Sequence, residues 1–180
     1  MKRTIIRMGH PNLREIAQPY PNDKIGSQEL FELIEDMRET LHYSGGIGLA
    51  APQISVPYRL AVIETTNSQS RYGDIPIIPF TIFINPKITV LDSNQSGMWE
   101  GCLSVPNIRG YVKRPQNIRI DWLSETGQLK TLNARGLLAT VFQHEFDHLN
   151  GKLFIDRIQD TTKISFDDEF HLYHQPLEQL

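Results

Sequence analysis

The stretch LLATVFQHEFDHLNG, residues 137–151, decides the fold, because it combines the apolar pattern of a buried helix with a cluster of ionisable side chains. Apolar residues from Leu137 to Leu149 recur with three- and four-residue spacing, and Asn150-Gly151 supplies a C-terminal stop. They occupy two adjacent faces of the predicted helix. We therefore expect this helix to be buried between layers of the protein.

The motif His144-Glu145-Phe146-Asp147-His148 lies inside that helix. Spacing of four residues places both imidazoles on one helix face, where two nitrogens can bind one metal ion. Glu145 lies about 100° further round the helix than His144, where it can transfer a proton rather than bind. The competing interpretation is a buried helix whose histidines bond to backbone groups. Two histidines and a glutamate would then need three separate partners, so the metal site is favoured.

The third ligand decides the class of enzyme, and the residues leave alternatives open. A metzincin pattern would need a third histidine at position 154, which is Phe154. A thermolysin-like zinc endopeptidase would use a later carboxylate, for which Glu169 is available. Cys102 could instead bind as a thiolate, leaving a fourth position open for water. A lone cysteine can also be a small buried hydrophobic residue.

The rest of the chain predicts a single α+β domain. Ser27 can cap an N-terminal helix with apolar residues from Leu30 to Leu41, which Gly45 and Gly46 end. The small-residue stretch 44–53 is predicted to be a tight loop. Strands are predicted for the runs 60–63, 80–84, 88–91 and 118–122. A hairpin loop is predicted for residues 67–74 and a turn for residues 125–128.

Composition excludes several classes of protein. The chain has 180 residues, of which 39% are hydrophobic, and its formal charge is −3, which argues against a phosphate backbone as the main partner. Cys102 is the only cysteine, which rules out an internal disulfide and suits a reducing compartment. Neither a secretory signal nor a run of about 20 apolar residues is found. We expect a cytoplasmic protein with no membrane segment and no sequence-specific nucleic-acid binding.

Three segments together resemble the peptide deformylase family: GIGLAAPQ (46–53), EGCLS (100–104) and QHEFDH (143–148). The similarity runs from about Ile5 to Ile158. The resemblance implies an α+β fold in which antiparallel β-sheets pack around a central metal-binding helix, with an N-terminal helix. It implies removal of the formyl group from N-terminal formyl-methionine of new polypeptides, with iron(II), for which zinc, nickel or cobalt can substitute.

The resemblance also implies roles for individual residues. Cys102, His144 and His148 match the metal ligands, and Glu145 matches the general base and acid. The side-chain amide of Gln53 and the backbone N–H of Leu103 match the two donors to the formyl oxygen. Backbone groups of Ile47, Gly48 and Gly101 match the peptide-binding positions. The residues that match the methionine pocket are Met98, Arg109, Leu137, Thr140 and Val141, with Glu100 expected to pair with Arg109 at its edge.

Two other interpretations fit the sequence less well. GIGLAA (46–51) also satisfies a G-x-G-x-x-A dinucleotide fingerprint, but that motif must follow a strand and open a helix, whereas a helix precedes this one and Pro52 closes it. Glycines that let the backbone approach a ligand explain it better. A catalytically inactive module that holds formyl-methionine peptides or metal is a further hypothesis, which the complete set of polar catalytic positions disfavours.

The C-terminal end departs from the family pattern. We expect residues 1–158 to form the catalytic domain, and 159–180 to be an acidic tail or an extension of that domain. Residues 156–180 contain two basic and six acidic side chains. Ribosomal RNA should repel such a tail, so transient ribosome association through it is not expected. The expected partners are N-formylmethionyl peptides and nascent chains.

Overall fold

A computed structural model describes residues 1–65, 69–70, 73–74 and 77–174. The described ranges contain three α-helices and eight strands. The helices are α1 (Gln28–Ser44), α2 (Gly136–His148) and α3 (Asp167–Tyr173). The strands are β1 (Gly48–Ala50), β2 (Leu60–Thr65), β3 (Gln69–Ser70), β4 (Gly73–Asp74), β5 (Ile78–Cys102), β6 (Val105–Leu123), β7 (Leu129–Arg135) and β8 (Ile164–Phe166). The predicted α+β class is confirmed.

Helix α1 begins and ends where its sequence predicts. The Ser27 hydroxyl accepts a hydrogen bond from the Leu30 N–H at 3.2 Å, which satisfies one of the free donors at the helix start. Gly45 ends the helix in the left-handed conformation, with a φ of 65°. The apolar face packs into one hydrophobic cluster, which includes Leu30, Ile34, Met37 and Leu41.

The main sheet is antiparallel, with strand order β1-β2-β5-β6-β7 and with β8 paired to β6. The separate runs 80–84 and 88–91 belong to the single long strand β5. Between them the register shifts after Ile84, and Asn85 has a φ of 51°. The break in the apolar pattern therefore marks a bulge within the strand rather than its end.

The loop predicted over 44–53 is partly wrong. Gly48–Ala50 pair with β2 as an edge strand, and Ala51–Ile54 then form a 3₁₀ helix. A strand of three residues, buried throughout, has no alternation of polar and apolar residues by which it could be recognised.

Helix α2 is buried, as its two apolar faces predict. Every residue from Ala139 to His148 except Gln143 is buried. Phe142 and Phe146 pack against Phe83 of β5, with ring centroids 5.2 and 5.7 Å apart. Gly151 follows with a φ of 66°, close against the chain at Arg14, so the predicted stop is confirmed. The helix is thereby fixed against the inner face of the sheet.

Backbone pairing supports both predicted turns. The backbone pairs Gln69 with Asp74 and Ser70 with Gly73, as a hairpin requires, while the rest of 67–74 lies outside the described residues. In the turn 125–128, the Ser124 N–H donates to the carbonyl of Gln128 at 2.9 Å.

The C-terminal segment packs on the sheet as far as His174. Ile164–Phe166 pair with Ile108–Gly110 of β6, and α3 follows directly with Phe170 buried. Across the described ranges, no helix is both long and apolar enough to cross a bilayer.

Candidate metal centre and active site

Three side chains from distant parts of the chain converge at one point. Cys102 ends β5, and His144 and His148 lie one turn apart on α2. One ligand atom from each lies within 4.8 Å of the others, and Cys102 Sγ is 3.4 Å from His148 Nε2. Two imidazoles and one thiolate suit zinc or iron(II) and leave a coordination position free.

This geometry decides between the alternatives for the third ligand. Glu169 is exposed on α3 and is not part of the ligand cluster, so the endopeptidase arrangement is contradicted. Phe154 stacks on the His144 ring, with centroids 6.1 Å apart, and has no ligating atom. Cys102 alone supplies the third ligand among the described residues.

The electrostatics of the cluster fit a divalent metal ion. Burial by itself would raise the pKa of the Cys102 thiol, but the charge of His148 and hydrogen bonds from both histidines lower it to about 5. The sulfur is therefore a thiolate at neutral pH, which is the form that binds metals. Glu145 Oε2 is buried without a hydrogen-bond partner in the described protein. A carboxylate oxygen in this position can accept a hydrogen bond from a water molecule bound to a metal ion at the three ligands.

A buried network of charges orients His144. Its Nδ1 donates to Glu100 Oε2 at 2.8 Å, which directs Nε2 towards the metal position. Arg114 holds the same carboxylate with two hydrogen bonds of 2.6 and 3.0 Å, and its third donor reaches Asp147 Oδ2 at 2.7 Å. Burial by itself would raise the pKa of Glu100, but His144 and Arg114 lower it, so the carboxylate stays charged.

Sequence reasoning missed Arg114 and Asp147. Asp147 lies within the histidine motif and could have been suspected, since a carboxylate on a buried helix needs a partner. Arg114 has no comparable signal, because nothing in the sequence distinguishes it from the exposed basic residues of the same strand. Its partners become evident only when β6 and α2 are packed together.

The expected pair between Glu100 and Arg109 is wrong. Glu100 lies opposite Gly110 in the β5–β6 ladder, and Arg109 lies opposite Gly101. Paired residues on neighbouring strands share a face, and successive residues along one strand alternate between faces. Arg109, which is paired with Gly101, therefore lies on the face opposite to Glu100, and Glu100 faces the metal ligands. Arg109 bonds to Asp167 instead.

Gln53 is held so that its amide nitrogen points towards Cys102. Its Oε1 accepts from the Ala50 N–H at 2.8 Å, and its Nε2 donates to Ser104 Oγ at 3.2 Å. The same nitrogen is 3.7 Å from Cys102 Sγ. Its two hydrogens are therefore directed to Ser104 Oγ and to the Cys102 sulfur, and the second of them lies beside the metal position. Ser104 is fully buried, and sequence reasoning assigned it no role.

Glu145 packs against Gly48 at the start of β1. An ideal Cβ built on Gly48 would lie 2.5 Å from the Glu145 carboxyl carbon and from Oε1, so only glycine leaves room for this side chain. Burial raises the pKa of Glu145, against the opposing effect of the two nearby histidines. A raised pKa makes the carboxyl group easier to protonate, which suits a group that must accept a proton and then release it.

A cavity opens beside these groups. Gly46 and all but two of the site residues predicted from the sequence line it. The exceptions are His148, which lies deeper as a ligand, and Arg109, whose expected place in the pocket wall is wrong because it lies on the far face of the sheet. The lining residues are Gly46, Ile47, Gly48, Gln53, Met98, Glu100, Gly101, Cys102, Leu103, Leu137, Thr140, Val141, His144 and Glu145.

Known proteins share this sequence and fold. Residues 2–163 match the family model for polypeptide deformylase. The chain is 46% identical over 168 residues to peptide deformylase 2 of Pseudomonas syringae pv. tomato, and 40% identical over 167 residues to peptide deformylase of Leptospira biflexa. Each alignment covers 93% of both chains.

Solved structures agree with these relatives. The Met-Ala-Ser bound crystal structure of class I type b peptide deformylase from Acinetobacter baumannii superposes with a TM-score of 0.83 at 33% identity, covering 88% of this chain and 99% of that one. Peptide deformylase from Thermotoga maritima gives a TM-score of 0.78 at 35% identity, over 89% and 99% of the two chains. The chain therefore belongs to the peptide deformylase family of metal-dependent hydrolases, which remove the formyl group from the amino terminus of nascent polypeptides.

Proposed function

We propose that this chain hydrolyses the formyl group of formyl-methionyl peptides with Glu145 as the proton-transfer group and Cys102, His144 and His148 as metal ligands. The observation that carries this assignment is the convergence of one thiolate and two imidazoles beside the buried Glu145 carboxyl, in a single cavity.

The chemistry divides between the ion and the protein. A divalent metal ion held by the three ligands supplies positive charge that acidifies water and polarises the formyl carbonyl. Glu145 accepts a proton from the attacking water and delivers it to the departing amine. A C–O bond forms at the formyl carbon, the C–N bond breaks, and formate leaves with a free amino terminus.

Gln53 and Leu103 stabilise the charge that develops on the formyl oxygen. The hydrogen of Gln53 Nε2 that donates to Cys102 Sγ lies on the ligand side and would be shared with the formyl oxygen, and the Leu103 backbone N–H is the second donor. Because Gln53 is already fixed by Ala50 and Ser104, little reorganisation accompanies the reaction. Loss of one such donor typically costs about 3 kcal/mol.

Specificity for methionine follows from the apolar part of the cavity. Met98, Leu137 and Val141 form walls that suit an unbranched thioether side chain. The hydroxyl of Thr140 accepts from Gln116 Nε2 at 3.4 Å. Ile47, Gly48 and Gly101 offer backbone groups to the peptide, so little sequence preference is expected beyond methionine. The Met-Ala-Ser bound relative supports a peptide ligand of this length.

Iron(II) is the proposed native metal, with zinc, nickel or cobalt as substitutes. Imidazole and thiolate ligands accept all four ions, so the choice is settled by elemental analysis of protein purified without oxygen. If the metal is iron, activity should decay in air as iron or Cys102 oxidises. An activity that is stable in air would contradict this proposal and favour the other metals.

The proposed location is the cytoplasm, where nascent chains carry the formyl group. The net negative charge of residues 156–180 disfavours contact with ribosomal RNA through this segment. We therefore propose that substrates are met as released or emerging chains, without docking of the C-terminal segment.

The test is formate release from formyl-Met-Ala-Ser by the metal-loaded enzyme and by Glu145→Gln. The variant should lose about 100- to 10,000-fold in kcat, the range for a general acid–base group, while it retains the metal. Glu169→Gln removes an exposed carboxylate and serves as the control with unchanged kcat. Undiminished turnover by Glu145→Gln would overturn the mechanism.

A further inference from the structure

The strand segment that carries the site has two faces. Met98, Glu100 and Cys102 line the cavity, whereas the side chain of Trp99 points away from it because successive side chains alternate along a strand. Gly101 has no side chain to fix it from either face. The position of its backbone is therefore set by its pairing with Arg109 of β6 and by what packs against that pair from the rear.

The C-terminal segment covers that rear face. We call residues 164–174 the C-terminal brace. Its strand β8 pairs with Ile108–Gly110 of β6, and Phe170 of α3 packs on Trp99 with ring centroids 5.1 Å apart. The His174 ring lies 4.9 Å from the same indole.

Arg109 links the brace to Gly101. Its Nη1 lies 3.0 Å from the ideal Cβ position of Gly101, so the guanidinium lies directly against the glycine. Its Nε donates to Asp167 Oδ1, and its Cζ lies 5.6 Å from the Phe170 ring centroid. Arg109 is only 5% exposed. A buried, charge-paired guanidinium is held in one orientation and transmits the position of α3 to the strand.

The match to the family model ends at residue 163, just before the brace begins. We propose that the C-terminal brace positions the Gly101 backbone for the peptide substrate, with Asp167 and Phe170 as positioning residues. This inference rests on the proposed function, in which Gly101 binds the peptide.

The brace acts on peptide binding more than on chemistry. Glu100 is held from the cavity side by Arg114 and His144, and Cys102 lies against the histidines. These contacts do not involve the brace. Loss of the brace should therefore displace Gly101 while the metal ligands stay in place.

The test compares Asp167→Ala and Phe170→Ala with matched controls. Asp168→Ala removes a neighbouring carboxylate from the same helix turn, and Leu172→Ala shortens an exposed apolar side chain of the same helix. The two brace variants should raise KM for formyl-Met-Ala-Ser roughly tenfold with kcat changed less than about twofold, because a weaker backbone contact to the peptide weakens binding of the substrate and of the transition state alike. Both controls should keep the KM of the unaltered protein.

Binding of the product peptide Met-Ala-Ser, measured by calorimetry, gives a readout that does not depend on turnover. Its Kd should rise by a similar factor in both brace variants, with metal content unchanged. Asp167→Glu, which keeps the carboxylate, should restore part of the affinity. If Phe170→Ala does not fold, the KM and Kd of Asp167→Ala alone test the proposal.

Two results would overturn the proposal. A lower Tm with KM and Kd unchanged would show that the brace only stabilises the fold. An equal rise of KM in the controls would show that the effect is not specific to Arg109 and Trp99. Absence of turnover by the unaltered, metal-loaded protein would instead overturn the proposed function, which separates the two failures.

Discussion

Replacement of Gly48 by alanine tests the geometry of the site most directly. The added methyl carbon would lie 2.5 Å from the Glu145 carboxyl carbon and from Oε1. Non-bonded carbon atoms prefer about 3.5–4.0 Å, so the two groups must separate by about 1 Å. Glu145 is 6% exposed and cannot rotate into solvent, and Gly48 is fixed by its pairing with Ile63 of β2.

The consequence is a large loss of rate. A displacement of about 1 Å at a positioned catalytic group can cost about 100-fold in kcat, which corresponds to about 2.7 kcal/mol. Overpacking of the buried loop should also lower the free energy of unfolding by about 1–3 kcal/mol. The assay is steady-state deformylation of formyl-Met-Ala-Ser, with thermal unfolding and metal content measured on the same preparation.

Gly46→Ala is the matched control in the same loop. Its Cβ would meet the ends of the Leu103 and Leu41 side chains, at 2.9 and 3.3 Å, which can shift at little cost. We expect kcat of this variant to fall less than about tenfold. A folded, metal-containing Gly48→Ala protein with kcat within threefold of the unaltered enzyme would refute the assigned position of Glu145.

Three further predictions follow from the ligands and the buried network. Cys102→Ala should lose the metal on dialysis, whereas Glu169→Gln should retain it, as measured by elemental analysis. Ser104→Ala removes the acceptor that fixes Gln53, and kcat should fall about tenfold, the effect expected for a loosened oxyanion donor, with KM little changed. Burial by itself would raise the pKa of Asp147, but Arg157 and Arg114 lower it in the folded state. The charged Asp147 therefore stabilises the fold above its unfolded pKa of about 3.9, and Asp147→Asn should lower Tm at pH 7 by an amount that shrinks as the pH falls below about 4.

Clear outcomes would contradict each of these. Retention of stoichiometric metal by Cys102→Ala would remove the thiolate from the ligand set. Unchanged kcat in Ser104→Ala would show that Ala50 and Cys102 orient Gln53 without Ser104. A Tm difference for Asp147→Asn that stays constant from pH 7 to pH 3 would show that its ion pairs do not contribute to acid stability.

Local patterns predicted α1 and α2 well, gave no indication of α3, and predicted the strands less completely. Ser27 and Gly45 bound α1 because capping is a property of a few neighbouring residues. The division of β5 into two runs was wrong, since a bulge at Asn85 interrupts the apolar pattern without ending the pairing. Strand β1 was missed, because its pairing with β2 is not encoded in its own three residues.

The sequence by itself determined the metal-binding helix and the candidate ligands, because the spacing of His144 and His148 fixes their common face within one turn. Only the tertiary structure decided that Cys102, rather than Glu169, completes the cluster, since that choice depends on how the end of β5 packs against α2. It also decided that Glu100 forms its ion pair with Arg114 rather than with Arg109. The physical reason is that strand register determines which face each side chain occupies, and register is set by pairing between distant segments.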